Sequence, residues 1–477
     1  MEGPKSKRRR SIRNGIEENT MAILDSSAPN DSQDVTDDGI AFLEAVRSSS
    51  LLPEDGTPPS CKMRAEVFQI LKDGKSIELI MASYQLLIEL DKRFPRVCLT
   101  DVNKADSSMG EPLELAVSKE DWVPFAFGTG VGYADRDAAD EKAGGPIDSQ
   151  GFQNLVQDIS NMANGRDSQA ENIKFLGNML LFQYLVNILE GDFLPRNKVY
   201  EGTMKWTLLR ESLINMLLAS RRINYKSLMK DCLSTLLALC HLPAGLRTDD
   251  LRSENDASIR QNECCNNAVA FALIEIGQDA CLALQRLLVM VMELDNSRKT
   301  ADTHGLITRA DGVRTPLVEI IVDELTYDSD MLSKILQVFC DPRWKLDIAL
   351  QYFSKYAAKP SVHTRRSNGS TDDKTFSGVL KCFSNNTSTK SITKKLNPVV
   401  AQLLLAHAFQ ASISVSLESC DEGISNSKDK AEGSSLMDIC KNLISAFRSL
   451  RRTDEHMRIL PLAREAIFTA ATILSTK

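Results

Sequence analysis

A segment of seventeen residues, Ile173 to Leu189, contains twelve hydrophobic side chains and spreads them around the whole circumference of a helix. A helix that is apolar on every side has to be surrounded by other protein elements. Elsewhere in the chain apolar residues recur at the three- and four-residue spacing of helices, and runs with two-residue alternation are nearly absent. The sequence therefore predicts an all-α fold with a buried central helix.

The stretches between polar breaks predict helices of roughly 12 to 25 residues that follow one another as pairs. Three helix starts combine a capping side chain with a proline at the first helical position, where no N–H is needed. They are Thr315-Pro316, Asp341-Pro342 and Asn397-Pro398. No clean repeat period is visible, so helix pairing favours an irregular armadillo- or HEAT-like stack, with a large helical bundle as the alternative.

Composition along the chain predicts one folded domain with a tail. Residues 1–38 are polar and charged, which predicts a disordered N-terminal tail. Residues 39–477 are expected to form a single helical scaffold domain. Four polar or glycine-rich breaks predict mobile loops at 101–148, 245–262, 359–395 and 419–434. Within the first loop, the aromatic rings of Trp122 to Phe127 are expected to pack on neighbouring helices.

The tail carries a compact basic cluster. Its members are Lys5, Lys7, Arg8, Arg9 and Arg10. An extended basic segment can place its side chains in acidic receptor pockets, so this cluster is a candidate nuclear localisation signal. A merely solubilising tail is the alternative.

The sequence offers no catalytic, cofactor-binding or metal-binding set. The glycine-rich turn Phe127 to Gly132 lacks the strand and helix that a phosphate-binding loop needs, and acidic residues follow it. Cysteine and histidine do not recur at metal-ligand spacings, and buried or incidental thiols are the interpretation for Cys232 and Cys240, near His241. His407 is expected to be a satisfied core histidine. The carboxylates Asp323, Glu324, Asp328 and Asp330 are expected to form a solvated interaction surface.

The net charge of −7 argues against a protein that coats nucleic acid over most of its surface. Four basic residues flank one predicted mobile loop and could make weak, salt-sensitive contacts with DNA. They are Arg365, Arg366, Lys394 and Lys395. No transmembrane helix is expected, because the apolar segment at 173–189 contains Lys174 and three amide side chains that are unfavourable in lipid. The eleven cysteines have no disulfide-like spacing, which predicts reduced thiols in the cytosol or nucleus.

Several long strings give the chain a family resemblance. They are Phe42-Leu-Glu-Ala-Val-Arg, Asn178-Met-Leu-Leu-Phe-Gln-Tyr-Leu, Pro195-Arg-Asn-Lys-Val-Tyr-Glu, Leu217-Leu-Ala-Ser-Arg-Arg-Ile-Asn-Tyr-Lys, Met292-Glu-Leu-Asp, Arg309-Ala-Asp-Gly-Val-Arg-Thr-Pro, Asp323-Glu-Leu-Thr-Tyr-Asp, Asp341-Pro-Arg-Trp-Lys-Leu and Ile444-Ser-Ala-Phe. In these strings the sequence resembles the plant family of negative regulators of systemic acquired resistance, over nearly all of its ordered part.

The resemblance implies a nuclear, armadillo-like helical protein that restrains defence-gene expression and has no enzymatic activity. It also implies a scaffold subunit of the structural-maintenance-of-chromosomes five/six complex, acting in the DNA-damage response and homologous recombination. Its partners would be the protein subunits of that complex, with no cofactor, small-molecule substrate or membrane. A transcriptional corepressor that acts through chromatin factors without the complex is the alternative, and an enzyme using the glycine-rich turn is a more distant third.

Overall fold

The computed structural model describes residues 17–24, 32–52, 56–100, 114–118, 122–127, 146–164, 169–240, 260–326, 328–339, 341–357, 375–384, 386–421, 436–454 and 456–476. Within these ranges the chain forms helices almost throughout, and the only strands are four short ones. The predicted all-α class is therefore confirmed.

The chain divides into two compact units, Met1–Arg314 and Thr315–Lys477, where the sequence predicts one domain. The boundary is hard to see in the sequence because no glycine-, serine- or charge-rich linker marks it. It falls inside the string Arg309 to Pro316, between a buried arginine and the first helix of the second unit.

Ten helices make up the described part of the first unit. They are α1 (17–24), α2 (Ser32–Ser50), α3 (Cys61–Asp73), α4 (Ile77–Arg93), α5 (Ser149–Asn164), α6 (Gln169–Thr203), α7 (Trp206–Arg210), α8 (Leu213–Leu218), α9 (Tyr225–Cys240) and α10 (Arg260–Thr303). Helix α6 lies at the centre and packs against α3, α4, α5 and, most extensively, α10. Ten of the twelve hydrophobic residues between Ile173 and Leu189 are buried, so this segment is the core helix that its composition predicts.

Polar side chains within this apolar segment join α6 to α10. Gln183 is buried, and its amide donates to the carbonyl oxygen of Ile276 at 3.0 Å. Arg286 on α10 donates to Asn187 at 2.8 Å and to Glu190 at 2.5 Å. The Gln183 bond satisfies a buried amide that would otherwise be costly, and the partly exposed Arg286 bonds join it in fixing the register of the two helices.

The N-terminal boundary and the acidic loop differ from the sequence prediction. Helix α1 at 17–24 lies wholly inside the predicted disordered tail. Helix α2 begins inside it as well, at Ser32, because Phe42, Leu43 and Val46 give it a face to bury. Between residues 97 and 148 the chain forms two small strand pairs. They are β1 (Val97–Thr100) antiparallel to β2 (Glu114–Val117), with Val97 opposite Val117, and β3 (Phe125–Ala126) parallel to β4 (Ile147–Asp148).

Aromatic packing holds the described part of this loop on the helices. The Trp122 ring lies 5.2 Å from that of Phe68, and the Phe125 ring lies 6.3 Å from that of Phe152. These contacts agree with the docking that the aromatic residues predict. The rest of the predicted loop lies outside the described residues.

Eight helices make up the described part of the second unit. They are α11 (Leu317–Leu325), α12 (Ser329–Val338), α13 (Pro342–Ala357), α14 (Phe376–Cys382), α15 (Asn386–Lys395), α16 (Pro398–Asp421), α17 (Leu436–Thr453) and α18 (Pro461–Ser475). Helix α16 is central and packs against α12, α13, α17 and α18. Its stretch Pro398–Ser416 is long and apolar enough to cross a membrane by length and composition, but 67% of it is buried inside the protein, as in a core helix of a globular unit.

Two of the three capped helix starts form as predicted. Asp341 accepts a hydrogen bond from the Arg343 N–H at the start of α13, and Asn397 accepts one from the Val399 N–H at the start of α16. The third prediction is wrong. Pro316 itself is the residue before α11, and no side chain caps that helix.

Three predicted loops are shorter than expected. Helix α10 already begins at Arg260, and α16 continues to Asp421. In the loop predicted at 359–395, Phe376–Cys382 and Asn386–Lys395 form α14 and α15, because a few apolar side chains among the serines and threonines are buried. They are Phe376, Val379, Leu380, Phe383 and Ile392. Residues 241–259, 358–374 and 422–435 lie outside the described part of the chain.

Candidate functional site

A cleft of about 490 Å³ in the first unit is lined by three arginines, and we refer to it as the arginine cleft. Its lining residues are Ala126, Phe127, Ser149, Arg210, Asn215, Met216, Ala219, Ser220, Arg221, Arg222 and Asp311. The volume lies within the range of ordinary ligand pockets. Two of the strings that carry the family resemblance meet here, since one supplies Arg221 and Arg222 and the other supplies Asp311.

Asp311 is the buried acid of the cleft. It ends a 3₁₀ turn, Arg309–Asp311, and accepts hydrogen bonds from the Thr308 backbone N–H and hydroxyl, each at 2.8 Å. The indole N–H of Trp206 donates to its other oxygen at 3.1 Å. Burial alone would raise the pKa of Asp311, but these hydrogen bonds and the charge of Arg210 outweigh it and hold the pKa below its usual range. Asp311 is therefore a carboxylate at neutral pH.

Two arginines contact the Asp311 turn from either side. Arg210 Nε lies 3.4 Å from the carboxylate, and 47% of its side chain remains exposed. Arg298 on α10 donates to the carbonyl oxygens of Asp311 at 2.7 Å and Gly312 at 2.5 Å. Gly312 has a φ of +67°, a backbone conformation that residues with a side chain rarely adopt, so the turn depends on glycine at this position.

The other two arginines of the cleft follow α8. Arg222 pairs with Asp148 at 2.9 Å and remains largely exposed. Arg221 is exposed, and it forms no ion pair with any residue in the described ranges. A guanidinium without a carboxylate partner at the edge of a concave site is available to an anionic ligand.

Asn215 lies on α8 and is 7% exposed. Its amide nitrogen donates to the carbonyl oxygen of Arg210 at 3.1 Å. Its amide oxygen is buried and has no hydrogen-bond partner among the described residues. A buried acceptor without a donor costs free energy, so this oxygen is a position where a ligand N–H or O–H would be favourable.

Two buried acids hold the elements that carry the cleft. Asp192 on α6 accepts from the Leu213 N–H at the start of α8 at 2.8 Å and pairs with Arg196 at 3.2 Å and Arg96 at 3.3 Å. Asp295 on α10 pairs with Arg314 at 2.6 Å. The Arg314 guanidinium also lies 5.0 Å from the centre of the Tyr225 ring. Tyr225 follows Arg222 by three residues in the sequence. Burial raises the pKa of Tyr225 far above its usual range, so the phenol stays neutral.

Most of the predicted basic residues lie outside the part of the chain that the structure describes. The cluster Lys5, Lys7, Arg8, Arg9 and Arg10 lies outside the described residues, as do Arg365 and Arg366. Lys394 and Lys395 are exposed in the last turn of α15. Of the glycine-rich turn, only Phe127 is described, and it lines the arginine cleft.

The predicted carboxylate surface includes two residues with structural roles. Asp323 forms an ion pair with Lys355, and Asp328 caps α12 by accepting from the Met331 N–H at 2.9 Å. Within the described residues, no group of three or more histidine, cysteine, aspartate or glutamate side chains could hold a metal ion.

The predicted thiol and imidazole residues that the structure describes, Cys232, Cys240 and His407, are buried or paired. Cys232 is buried, whereas the Cys240 sulfur lies 3.4 Å from that of Cys281; His241 lies outside the described residues. His407 is buried as predicted, but the prediction that it is satisfied is wrong, since its Nε2 has no hydrogen-bond partner in the described structure. Burial, with the charge of Lys345, lowers its pKa to about 4.

Sequence reasoning did not single out Arg210, Asn215, Arg221 or Arg222 as site residues. The available signal was the adjacent pair Arg221-Arg222 between two apolar helices, inside a string that carries the family resemblance. That this turn and Asp311 line the same cleft could not be read from the sequence, because the two lie about ninety residues apart.

Comparison with known proteins places all the lining residues of the cleft within one family domain. A family model described as the SNI1 middle domain matches residues 96–341, and one described as the SNI1 C-terminal domain matches residues 357–477. The chain is 45% identical over 464 residues to the Arabidopsis thaliana protein "Negative regulator of systemic acquired resistance SNI1", covering 97% of this chain and 95% of that protein. No solved structure matches.

Proposed function

This chain belongs to the SNI1 family, and from that membership we propose that it is a negative regulator of systemic acquired resistance. The observation that carries the proposal is the 45% identity to the Arabidopsis regulator, which extends over nearly the whole of both chains. Such coverage means that both described units, and not one shared module, have counterparts in a protein with this function.

The finer proposal is that the chain is a non-enzymatic nuclear scaffold subunit of the structural-maintenance-of-chromosomes five/six complex. In this role it acts in the DNA-damage response and homologous recombination and restrains defence-gene expression. The helical architecture supports this proposal, since stacked helices present long side-chain surfaces to other proteins. The mechanism is positional: the chain holds partner subunits in place, and the ATP-driven core of the complex performs the chemistry.

Rigid placement of surface residues is what a scaffold requires. In the first unit Asp192 and Asp295 tie α6, α8 and α10 to neighbouring segments through buried ion pairs. Polar groups with fixed partners in a low-dielectric interior have few alternative arrangements. Arg221 and Arg222, the exposed arginines that follow α8, are therefore presented at defined positions.

The experiment that tests the complex is affinity purification of the tagged chain from nuclear extract, after nuclease digestion and at moderate salt. Mass spectrometry then identifies the proteins that remain bound. Nuclease removes proteins that are joined only through DNA. Near-stoichiometric recovery of the other subunits of the complex is the expected result.

A corepressor that works through chromatin factors is the alternative function. Recovery of chromatin repressors without subunits of the complex would establish that alternative and overturn the scaffold proposal. A second purification from extract of cells treated with a DNA-damaging agent serves as a matched comparison, since a repair subunit is retained in the complex under that condition.

Nuclear location is tested separately at the basic cluster. Replacing Lys5, Lys7 and the three arginines at 8–10 by glutamine removes the charges that an import receptor would bind. The fluorescently tagged variant is expected in the cytoplasm and the parent chain in the nucleus. A nuclear variant would assign the cluster to the solubilising role instead.

A further inference from the structure

We propose that the arginine cleft binds an acidic peptide segment of a partner protein, with a carboxylate side chain on Arg221 and Arg222 and a backbone N–H on Asn215. The proposal deepens the scaffold function and rests on it for its biological meaning. The binding chemistry follows from the cleft alone, so it can be tested on the isolated chain.

The charges of the cleft favour an anion at one end. Arg222 is largely exposed, with a single carboxylate partner in Asp148, and Arg221 forms no ion pair with any described residue. Two guanidinium groups on consecutive residues of one turn can donate to both oxygens of one carboxylate. Arg210 differs from Arg222 in exposure, because 47% of its side chain is exposed against 65% for Arg222, and its partner Asp311 is buried at 2%.

Asn215 adds a requirement that an anion alone does not meet. Its buried amide oxygen has no donor among the residues that the structure describes, and its nitrogen already donates to the Arg210 carbonyl. A carboxylate ion has no hydrogen to donate at neutral pH, so it cannot satisfy this oxygen. A peptide supplies a backbone N–H beside each side chain, and so it satisfies Asn215 and the arginines with a single segment.

The remaining lining residues fit an apolar side chain next to the acidic one. Phe127, Met216 and Ala219 provide carbon surface within the same cleft. A volume of about 490 Å³ accommodates a few residues of an extended peptide. The ligand is therefore expected to combine one or two acidic residues with a neighbouring apolar residue.

Shape and charge argue against nucleic acid as the occupant. A concave site of this volume cannot enclose a duplex, and the carboxylates of Asp148 and Asp311 lie beside the arginines. A DNA-binding surface is basic over a wide area, whereas this chain has a net charge of −7.

The test uses the full chain and a fluorescein-labelled peptide with the sequence Gly-Asp-Leu-Asp-Glu-Gly, blocked at both ends. Its matched control replaces the three acids by their amides. Fluorescence anisotropy at low and moderate salt measures binding to each. The acidic peptide is expected to bind at least tenfold more tightly than the amide peptide, because charge-assisted hydrogen bonds are lost in the latter.

Substitutions identify the site. The double variant R221Q/R222Q is expected to lose at least tenfold in affinity for the acidic peptide, whereas R343Q/R464Q, with the same change in net charge in the second unit, keeps it. Circular dichroism checks that both variants are folded, which their exposed positions favour. Equal binding by R221Q/R222Q and the parent chain would overturn the proposal.

A double-mutant cycle distinguishes the contribution of Asn215 to binding from an effect of its substitution on folding. Peptides with one backbone nitrogen methylated at a time are compared on the parent chain and on N215A. One methylation is expected to weaken binding to the parent chain and to have no further effect on N215A. A loss of the same size on both proteins would remove Asn215 from the proposal.

Two further probes decide the source of the anion. A phosphoserine version of the peptide that binds more tightly than the acidic one, and loses its advantage in R221Q/R222Q, supports the site and identifies a phosphorylated partner. A short DNA duplex that binds more tightly than either peptide, and whose binding is lost in the same variant, would overturn the peptide proposal.

Peptide binding without recovery of complex subunits from extract would leave the cleft established and the proposed function wrong.

Discussion

Arg314 and Asp295 form an ion pair with an N–O distance of 2.6 Å, and their side chains are only 6% and 10% exposed. The Arg314 guanidinium donates through both Nε and Nη2 to the same carboxylate oxygen. It also lies over the Tyr225 ring. Arg314 is the last residue of the first unit, so this pair fastens the end of that unit to α10.

Replacing Arg314 by alanine is therefore expected to destabilise the protein by about 3 to 5 kcal/mol, since it leaves the buried charge of Asp295 unpaired. Urea unfolding followed by tryptophan fluorescence measures the loss. The matched control is R47A, because the Arg47–Glu89 pair is 40% and 46% exposed and contributes less than about 1 kcal/mol. Similar losses for the two variants would show that burial does not govern the Arg314 pair.

Glycine at position 312 is predicted to be necessary for the Asp311 turn. Its φ of +67° lies in a region that other residues enter only at a cost of about 1 to 3 kcal/mol, so G312A should be destabilised by that amount. No atom lies near the position of the added methyl group, so strain is the expected cause.

The opposite effect on the free energy of unfolding is expected for G191A. Gly191 lies inside α6 and also has open space around it, so alanine should stabilise the helix by about 0.5 to 1 kcal/mol. Thermal unfolding of the two variants gives the comparison. A stabilised G312A would show that the backbone relaxes there.

Stability should fall in mildly acidic solution because of His407. Its folded-state pKa of about 4 lies below the ordinary value of 6.5, so the unfolded chain binds more protons between these two values. The stabilisation is complete above about pH 6.5 and is lost as the pH falls towards 4, and the total loss amounts to roughly 3 kcal/mol.

The variant H407L removes the titrating group and the unsatisfied Nε2 together. It is expected to flatten the dependence of unfolding free energy on pH between 4 and 6.5, with little loss of stability at pH 7. Urea unfolding at four pH values provides the measurement. An unchanged slope in H407L would assign the pH dependence to other groups.

Cys240 and Cys281 are predicted to form a disulfide on mild oxidation, because their sulfur atoms are 3.4 Å apart. With diamide, the two thiols lose two protons and two electrons, and the reagent is reduced to the hydrazine. The hydrogen bond with Cys240, together with burial, raises the pKa of Cys281, so the reaction should accelerate as the pH rises above neutrality.

Mass spectrometry of non-reduced tryptic peptides detects this cross-link. The variant C281S should abolish it, and Cys232, which is buried and whose pKa is raised by burial, should remain a thiol in both proteins. A cross-link that involves Cys232 would contradict the arrangement of α9 and α10 described here.

The helical class and the central helix could be predicted from the sequence because they depend on local periodicity. The apolar residues of α6 recur within a single segment, and so do the Asp341 and Asn397 caps. Helices α14 and α15 were missed because they bury only a few apolar side chains in a serine- and threonine-rich background. Their stability comes from packing on α13, α17 and other neighbours, which composition does not report.

The arginine cleft could not be predicted from local pattern. Trp206 and Asp311 are 105 residues apart, and their hydrogen bond positions Arg210 only after α6 and α10 have packed. The orphan oxygen of Asn215 is visible only once its burial is known. The unit boundary after Arg314 could not be predicted from local pattern either, since it depends on which distant segments pack together and no linker marks it.

Helix α10 contains 44 residues without a break. At the rise of an α-helix it is a rod about 66 Å long, which is longer than many whole domains. A rod of this kind fixes the distance between its two ends. Two groups attached at its ends are held at a spacing set by the number of residues between them, and inserting four residues would lengthen that spacing by about 6 Å and rotate one end relative to the other by about 40°.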